Sequence, residues 1–141
     1  MLCVLCDLCV KPLLMHENQL TMTIFDSAFK VHTTLGPGLL ETVYRAALAL
    51  EIEKRGFKVA IERPISAFYE EVKLDLGFRA DIIVENKVII ECKSVEALAP
   101  VHGKVMLTYL RLADMRLGLL INFNVALIKD GIRRVVNDLK Q

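Results

Sequence analysis

Residues 79–84, Arg79-Ala80-Asp81-Ile82-Ile83-Val84, and residues 88–93, Val88-Ile89-Ile90-Glu91-Cys92-Lys93, decide how this chain folds. Both runs are rich in Val and Ile. They predict two strands, 78–84 and 88–95, joined at Glu85-Asn86-Lys87. Uninterrupted apolar runs of this kind suit strands buried on both faces of a sheet. Charged side chains are rare in such strands, because desolvating them costs several kcal/mol unless they are paired or bound to metal. Here two acids and a lysine interrupt them. Side chains alternate along a strand, so Glu91 and Lys93 share one face while Ile90 and Cys92 take the other. A three-residue connection from Glu85 to Lys87 places Asp81 directly opposite Glu91. Two carboxylates at that spacing repel each other unless a cation lies between them. Oxygen-rich sites of this type suit magnesium or manganese. Such an ion can activate water for in-line displacement at a phosphate, and Lys93 could orient that water or neutralise developing charge. Spacing alone also allows a plainer reading: an interstrand ion pair of Lys93 with Asp81 or Glu91 at a sheet edge.

Upstream, Leu20, Ile24, Ala28, Val31 and Leu35 recur at helical spacing and predict a helix over 17–35. Gly36-Pro37-Gly38 breaks it. A second helix is expected from Leu39 to Arg55, stopped by Gly56, with Leu40, Val43, Ala47 and Leu50 as its core stripe. Alternation of Phe57, Val59 and Ile61 predicts a strand ending at Pro64. Strands at 65–69 and 72–76 should turn around Glu70-Glu71. Downstream, Pro100 opens a third helix to about Met115, with Val101, Val105, Leu112 and either Thr108 or Tyr109 inward. A buried strand at 117–123 follows. A last hairpin is expected from Val125–Lys129 and Ile132–Val136 around Asp130-Gly131. No repeats or linkers interrupt this order, which is that of one mixed α/β domain.

The 141 residues suffice for one domain with a real core. Hydrophobic residues make up 54% and the mean hydropathy is +0.42, so a membrane span must be considered. A spanning helix needs about 18 nearly uninterrupted apolar residues. The longest apolar stretch, Leu117 to Ile128, is broken by Asn122 and Asn124. The expectation is a soluble, cytoplasmic protein with no membrane partner. A net charge of +1 excludes a strongly basic nucleic-acid binder, so any such partner must be held by a local patch or by metal ions. Cys3, Cys6 and Cys9 form a Cys-x-x-Cys-x-x-Cys run, and Cys92 lies in an apolar strand. Residues 1–14 lack a basic start and continue no core pattern, so they are expected to be a loosely attached extension to a domain at 15–141. A zinc or iron–sulfur site would require Cys92 to join the triplet.

Asp81 with Glu91-Cys92-Lys93 resembles the Asp…Glu-x-Lys signature of the PD-(D/E)XK nuclease superfamily. Gly38-Leu39-Leu40-Glu41-Thr42-Val43-Tyr44 matches the motif that names the GxxExxY family within it. Val31-His32-Thr33-Thr34-Leu35-Gly36-Pro37-Gly38, Gly77-Phe78-Arg79-Ala80-Asp81 and Gly118-Leu119-Leu120-Ile121-Asn122-Phe123 also look like that family, over about Asn18 to Leu139. The resemblance implies a restriction-endonuclease-like core, a four-stranded mixed sheet flanked by helices. It also implies metal-dependent cleavage of DNA. Asp81, Glu91, Lys93 and Glu41 would be the catalytic set. Asp81 and Glu91, with Glu41 in support, would hold magnesium or manganese. Glu41, Tyr44 and Arg45 lie three and four apart, on one helix face; Glu41 could equally be a solvated acid favoured by the helix dipole. Two departures stand out. Ala80 replaces the proline of the signature. Val105 stands where many relatives carry a glutamine four residues before a tyrosine, here Tyr109, and valine cannot hydrogen-bond water or a base. His102 could line the site or serve the helix start, and Lys104, Arg111 and Arg116 could meet phosphates or solvent.

Three functions compete on these residues. The first is a magnesium-dependent nuclease acting on DNA. The second is a nuclease-fold module that binds nucleic acid or protein without efficient cleavage, supported by the near-neutral charge and by Val105. The third is a metal-dependent hydrolase of a non-nucleic phosphodiester. Intact Asp81, Glu91 and Lys93 favour the first, since a pure binding module needs no buried acid cluster.

Overall fold

The protein is described by a computed structural model covering residues 15–74 and 79–140. The expected extension at 1–14, with its three cysteines, lies outside the described residues, as do the expected strand ends at Leu76 and Phe78.

Helix α1 spans Glu17–Leu35. His16 caps it: its Nδ1 accepts from the Asn18 N–H at 3.0 Å, and Gln19 Oε1 accepts from the His16 N–H at 2.8 Å. Leu20, Ile24, Ala28 and Val31 are buried, as the periodicity requires, while Leu35 is exposed. Helix α2 spans Glu41–Lys54; of the expected stripe Ala47 packs, partly buried, against the core, but the other three residues do not. Leu40 is 74% exposed, Val43 and Leu50 are also exposed, and the buried residues are Tyr44, Leu48, Ala49 and Ile52. Apolar residues surround this helix, so its sequence has no single hydrophobic phase. Tyr44 fixes the inward face. Its hydroxyl donates to Gly36 O at 2.5 Å and accepts from the Leu39 N–H at 3.0 Å, and its ring stacks on Phe123, centroids 4.5 Å apart.

Strand β1 is Val59–Pro64, and β2 (Ala67–Tyr69) pairs with β3 (Val72–Leu74) as a separate two-stranded sheet. Glu70 and Glu71, at φ 48° and 70°, make the expected turn between them. Strands β4 (Arg79–Val84) and β5 (Val88–Lys93) form the central hairpin, with Glu85 and Asn86 likewise left-handed. Helix α3 (Pro100–Ala113) crosses to β6 (Leu117–Asn122), which runs parallel to β5 and is buried at every position. A 3₁₀ turn, Ile128–Gly131, precedes β7 (Ile132–Val136).

The main sheet is mixed and ordered β1-β4-β5-β6-β7, five strands where the resemblance implied four. Helices α1 and α2 cover one face, packing on Ile82, Val84, Ile90, Cys92, Leu119 and Ile121. Helix α3 covers the other through Met106 and Leu110, against Ile83, Ile89 and Leu120. Of two further expectations, one holds for half of its residues and the other fails. In α3, Val101, Val105 and Thr108 are exposed, while Tyr109 and Leu112 are partly buried beside Met106 and Leu110. The inward phase is set by Gly118 of β6, where a Cβ would lie 2.4 Å from Met106 Sδ. Residues 125–129 form no strand, and β7 pairs with β6 instead. His32 Nε2 bonds Val125 O at 2.8 Å, holding that segment against α1 and away from any hairpin.

Candidate active site

The antiparallel register of β4 and β5 pairs Ile82 with Ile90. One step further, Asp81 stands across from Glu91. At that row side chains take over from the regular ladder. The Asp81 N–H donates to Glu91 Oε1 at 3.1 Å, and the Cys92 N–H donates to Asp81 Oδ2 at 2.9 Å. Each bond uses one oxygen of its carboxyl. Glu91 is buried, and burial first, then the Asp81 charge beside it, push its carboxyl up to about 8. Lys93, two residues along β5, pulls the other way. Two negative charges are therefore poorly tolerated here near neutral pH without a positive partner.

Glu41 opens α2, as the sequence places it. Its Oε2 accepts from the Ser94 N–H at 2.9 Å, and Ser94 Oγ donates to Leu39 O at 2.6 Å. The end of β5 is thus tied to the start of α2, one residue past Lys93. Tyr44, on the same helix, points into the core. Asn122, 2% exposed on β6 and paired in register with Lys93, holds the next loop. Its Oδ1 accepts from the Val95 N–H at 3.1 Å and its Nδ2 donates to Val95 O at 2.9 Å.

Other expected residues fall elsewhere. His102 serves the helix start, its Nδ1 accepting from the Ala99 N–H at 2.9 Å. Val105 is exposed. Arg116 pairs with Asp114 at 3.0 Å. Cys92 is buried in the core, and burial above all, with Asp81 and Glu91 adding to it, raises its thiol well above the ordinary range. A neutral thiol is a poor metal ligand.

Two residues near the acids escaped sequence reasoning. Tyr109 comes from α3, and its phenol is raised by partial burial and then by the charges of Glu91 and Asp81. The resemblance marked it as the tyrosine four residues past Val105 and the spacing gave its inward side as one of two choices, but neither said that it comes near the acids. Arg45 places Nη1 3.8 Å from Asp81 Oδ1 and 3.4 Å from Glu62 Oε1. Its spacing from Glu41 put both on one helix face, but nothing local said that this face meets β4.

A family model described as the PD-(D/E)XK nuclease superfamily matches residues 18–135. The chain belongs to the PD-(D/E)XK nuclease superfamily. No curated protein and no solved structure matches it. The five-stranded mixed sheet with helices on both faces is the superfamily's α/β architecture. Divalent metals are typical of its members, so the donor set can be tested for fit. Among the described residues no three acid, His or Cys side chains gather to hold an ion. Magnesium, however, keeps several waters and needs only one or two carboxylates. Asp81 and Glu91, hard oxygen donors whose joint charge calls for a cation, fit that requirement. No described helix is long and apolar enough to cross a membrane.

Proposed function

We propose that this protein is a nuclease that hydrolyses phosphodiester bonds of DNA with magnesium or manganese, in a soluble, cytoplasmic setting. The observation that carries the reading is the interlocked pair of a part-exposed Asp81 and a buried Glu91, with Lys93 on the same strand face as Glu91. Asp81 and Glu91 would hold the ion, which would supply a Lewis acid and a lowered pKa for its water. Lys93 orients the attacking water and offsets charge gathering on the phosphate oxygens. Glu41 acts one layer out: by fixing the Ser94 N–H it sets the end of β5, and with it the reach of Lys93 toward the acids. Completion of the acid set by Glu41, as the GxxExxY resemblance implies, belongs to the same proposal.

The test is direct. Purified protein is incubated with labelled single- and double-stranded DNA and RNA, with magnesium, manganese or chelator. DNA cleavage is expected with either metal and none with chelator. Metal-dependent cleavage of RNA alone would move the substrate. Absence of both cleavage and metal-dependent thermal stabilisation would overturn the reading in favour of a binding module.

A further inference from the structure

Asp81 does not face Glu91 alone. The β1–β4 register pairs Ile61 with Ile82 and Arg63 with Ala80, so Glu62 falls opposite Asp81. Glu62, Asp81 and Glu91 therefore form one row across three neighbouring strands. Glu62 is left-handed, at φ 52°, inside a strand. A non-glycine residue in that conformation costs about 1 kcal/mol or more, and such outliers cluster where function needs them. Arg45 of α2 reaches this row. A single nitrogen, Nη1, stands 3.8 Å from Asp81 Oδ1 and 3.4 Å from Glu62 Oε1. Among the ion pairs of the described residues, this is the one that reaches Asp81.

We propose that Arg45, held by Glu62, is a built-in counter-ion that stands in for the metal at Asp81 and is left to Glu62 alone when a divalent cation binds. The proposal rests on the cation site assigned above to Asp81 and Glu91. Like charges close together in a partly dry site cannot both be tolerated, so an arriving cation must displace the guanidinium or share the carboxylate with it. Glu62, already the nearer partner of that nitrogen at 3.4 Å against 3.8 Å for Asp81, keeps the guanidinium seated when Asp81 releases it. The exchange moves a guanidinium, and not a proton, between the two acids. Metal affinity is then set by the balance of the two acids for one arginine, and Arg45 and Glu62 are positioning residues.

The experiment is a manganese titration of the full-length protein, read by the paramagnetic resonance signal of free Mn²⁺, which needs no substrate or turnover. Arg45→Met should tighten manganese binding on the order of tenfold, the scale of one partly screened unit charge at this distance. Glu62→Gln should weaken it, because the arginine loses its seat at Glu62. That weakening should shrink by more than half in an Arg45→Met background. Glu62 is 54% exposed and its amide disturbs little packing, so this arm survives if Arg45→Met fails to fold. Arg45→Lys, which keeps the charge, should stay near wild-type affinity. Equal Glu62→Gln shifts with and without Arg45, or an Arg45→Met protein that binds manganese no more tightly than wild type, would overturn the proposal while leaving the cation site standing. A wild-type protein that binds no manganese would overturn the site itself, and this inference with it.

Discussion

The Asp81 N–H donates to Glu91 Oε1 at 3.1 Å, so the first acid of the signature is fastened by its backbone to the side chain of the second. Antiparallel strands ordinarily satisfy such groups from backbone to backbone. Here a carboxyl oxygen is drawn into the sheet, and Glu91 holds its proton far above the ordinary range of a glutamate.

A pH dependence follows in the metal-free protein. The Glu91 carboxyl titrates at about 8 in the fold, against 4.5 ordinarily. Between those values the folded state holds a proton that the unfolded state has lost. Stability is therefore greatest at the acid end of that window and falls as pH rises through it. In chelator, the melting temperature should be lower at about pH 9 than at about pH 6. Glu91→Gln should flatten that difference. A wild-type profile in chelator no steeper than that of Glu91→Gln would contradict the assignment.

Lys93 separates chemistry from metal binding. An ammonium is not a ligand, so Lys93→Ala should lower cleavage by roughly a hundredfold or more, the usual scale for one electrostatic stabiliser. It should leave the metal-dependent rise in melting temperature largely intact. Asp81→Asn should abolish both. At a hundredfold excess of metal over Kd that rise corresponds to about 2.7 kcal/mol, several degrees for a domain of this size. Were Lys93 merely an interstrand ion-pair partner, its alanine variant would melt lower and magnesium would stabilise neither protein.

How far the sequence could be read depended on the range of the interactions. Glu91 and Lys93 share a face because strand parity is local, and the opposition of Asp81 to Glu91 needed only the length of one turn. The α1 stripe was equally plain, since Leu20, Ile24, Ala28 and Val31 keep one helical phase, even though Met22, Phe25 and Phe29 lie exposed on the same helix. Helix α2 hid its inward face because leucines, valine and alanines surround it, and the choice was made by partners distant in sequence or outside the helix: Phe123, Gly36 O and Leu39 N. The α3 phase was set by a missing side chain, that of Gly118 on another element. The Arg45–Glu62 contact joins a helix to an edge strand, and no periodicity within either announces it.

Tyr44 closes the motif that begins at Gly38, and its place is structural. Its hydroxyl satisfies Gly36 O and the Leu39 N–H just ahead of α2, and its ring backs Phe123. Tyr44→Phe keeps the stack and strands both backbone groups, for an expected loss of about 1–3 kcal/mol. Tyr44→Ala removes the ring as well and should cost about 3–5 kcal/mol. Chemical denaturation measures both. Because Leu39 O also accepts from Ser94 Oγ, Tyr44→Phe should reduce cleavage by loosening the end of β5 while leaving manganese affinity nearly unchanged. A phenylalanine variant as stable as wild type would show that water replaces the hydroxyl without loss.

Three glycines test the packing behind the site, because each tolerates a methyl group differently. Gly103 lies within α3 and a Cβ there meets nothing within 4 Å. Gly103→Ala should therefore stabilise the protein by about 0.5–1 kcal/mol through helix propensity. Gly36 also has open space but ends α1 at φ 71°, where an L side chain is strained. Gly36→Ala should cost about 1–2 kcal/mol. Gly131 carries no such torsion. Its added Cβ would lie 2.1 Å from the backbone oxygen of Asn122 and 3.0 Å from Val125 Cγ2. A side-chain end could swing away, but a carbonyl within β6 moves only with its strand, and Asn122 is the residue that pins Val95 beyond Lys93. Overpacking of this kind costs about 1–3 kcal/mol, and more where the backbone must yield. Gly131→Ala should thus melt lowest of the three and lose cleavage beyond what its lower stability explains, since displacing Asn122 shifts the loop behind Lys93. If Gly131→Ala instead melts above Gly36→Ala, the approach of this turn to β6 is looser than the geometry requires, and Asn122 does not transmit it to the site.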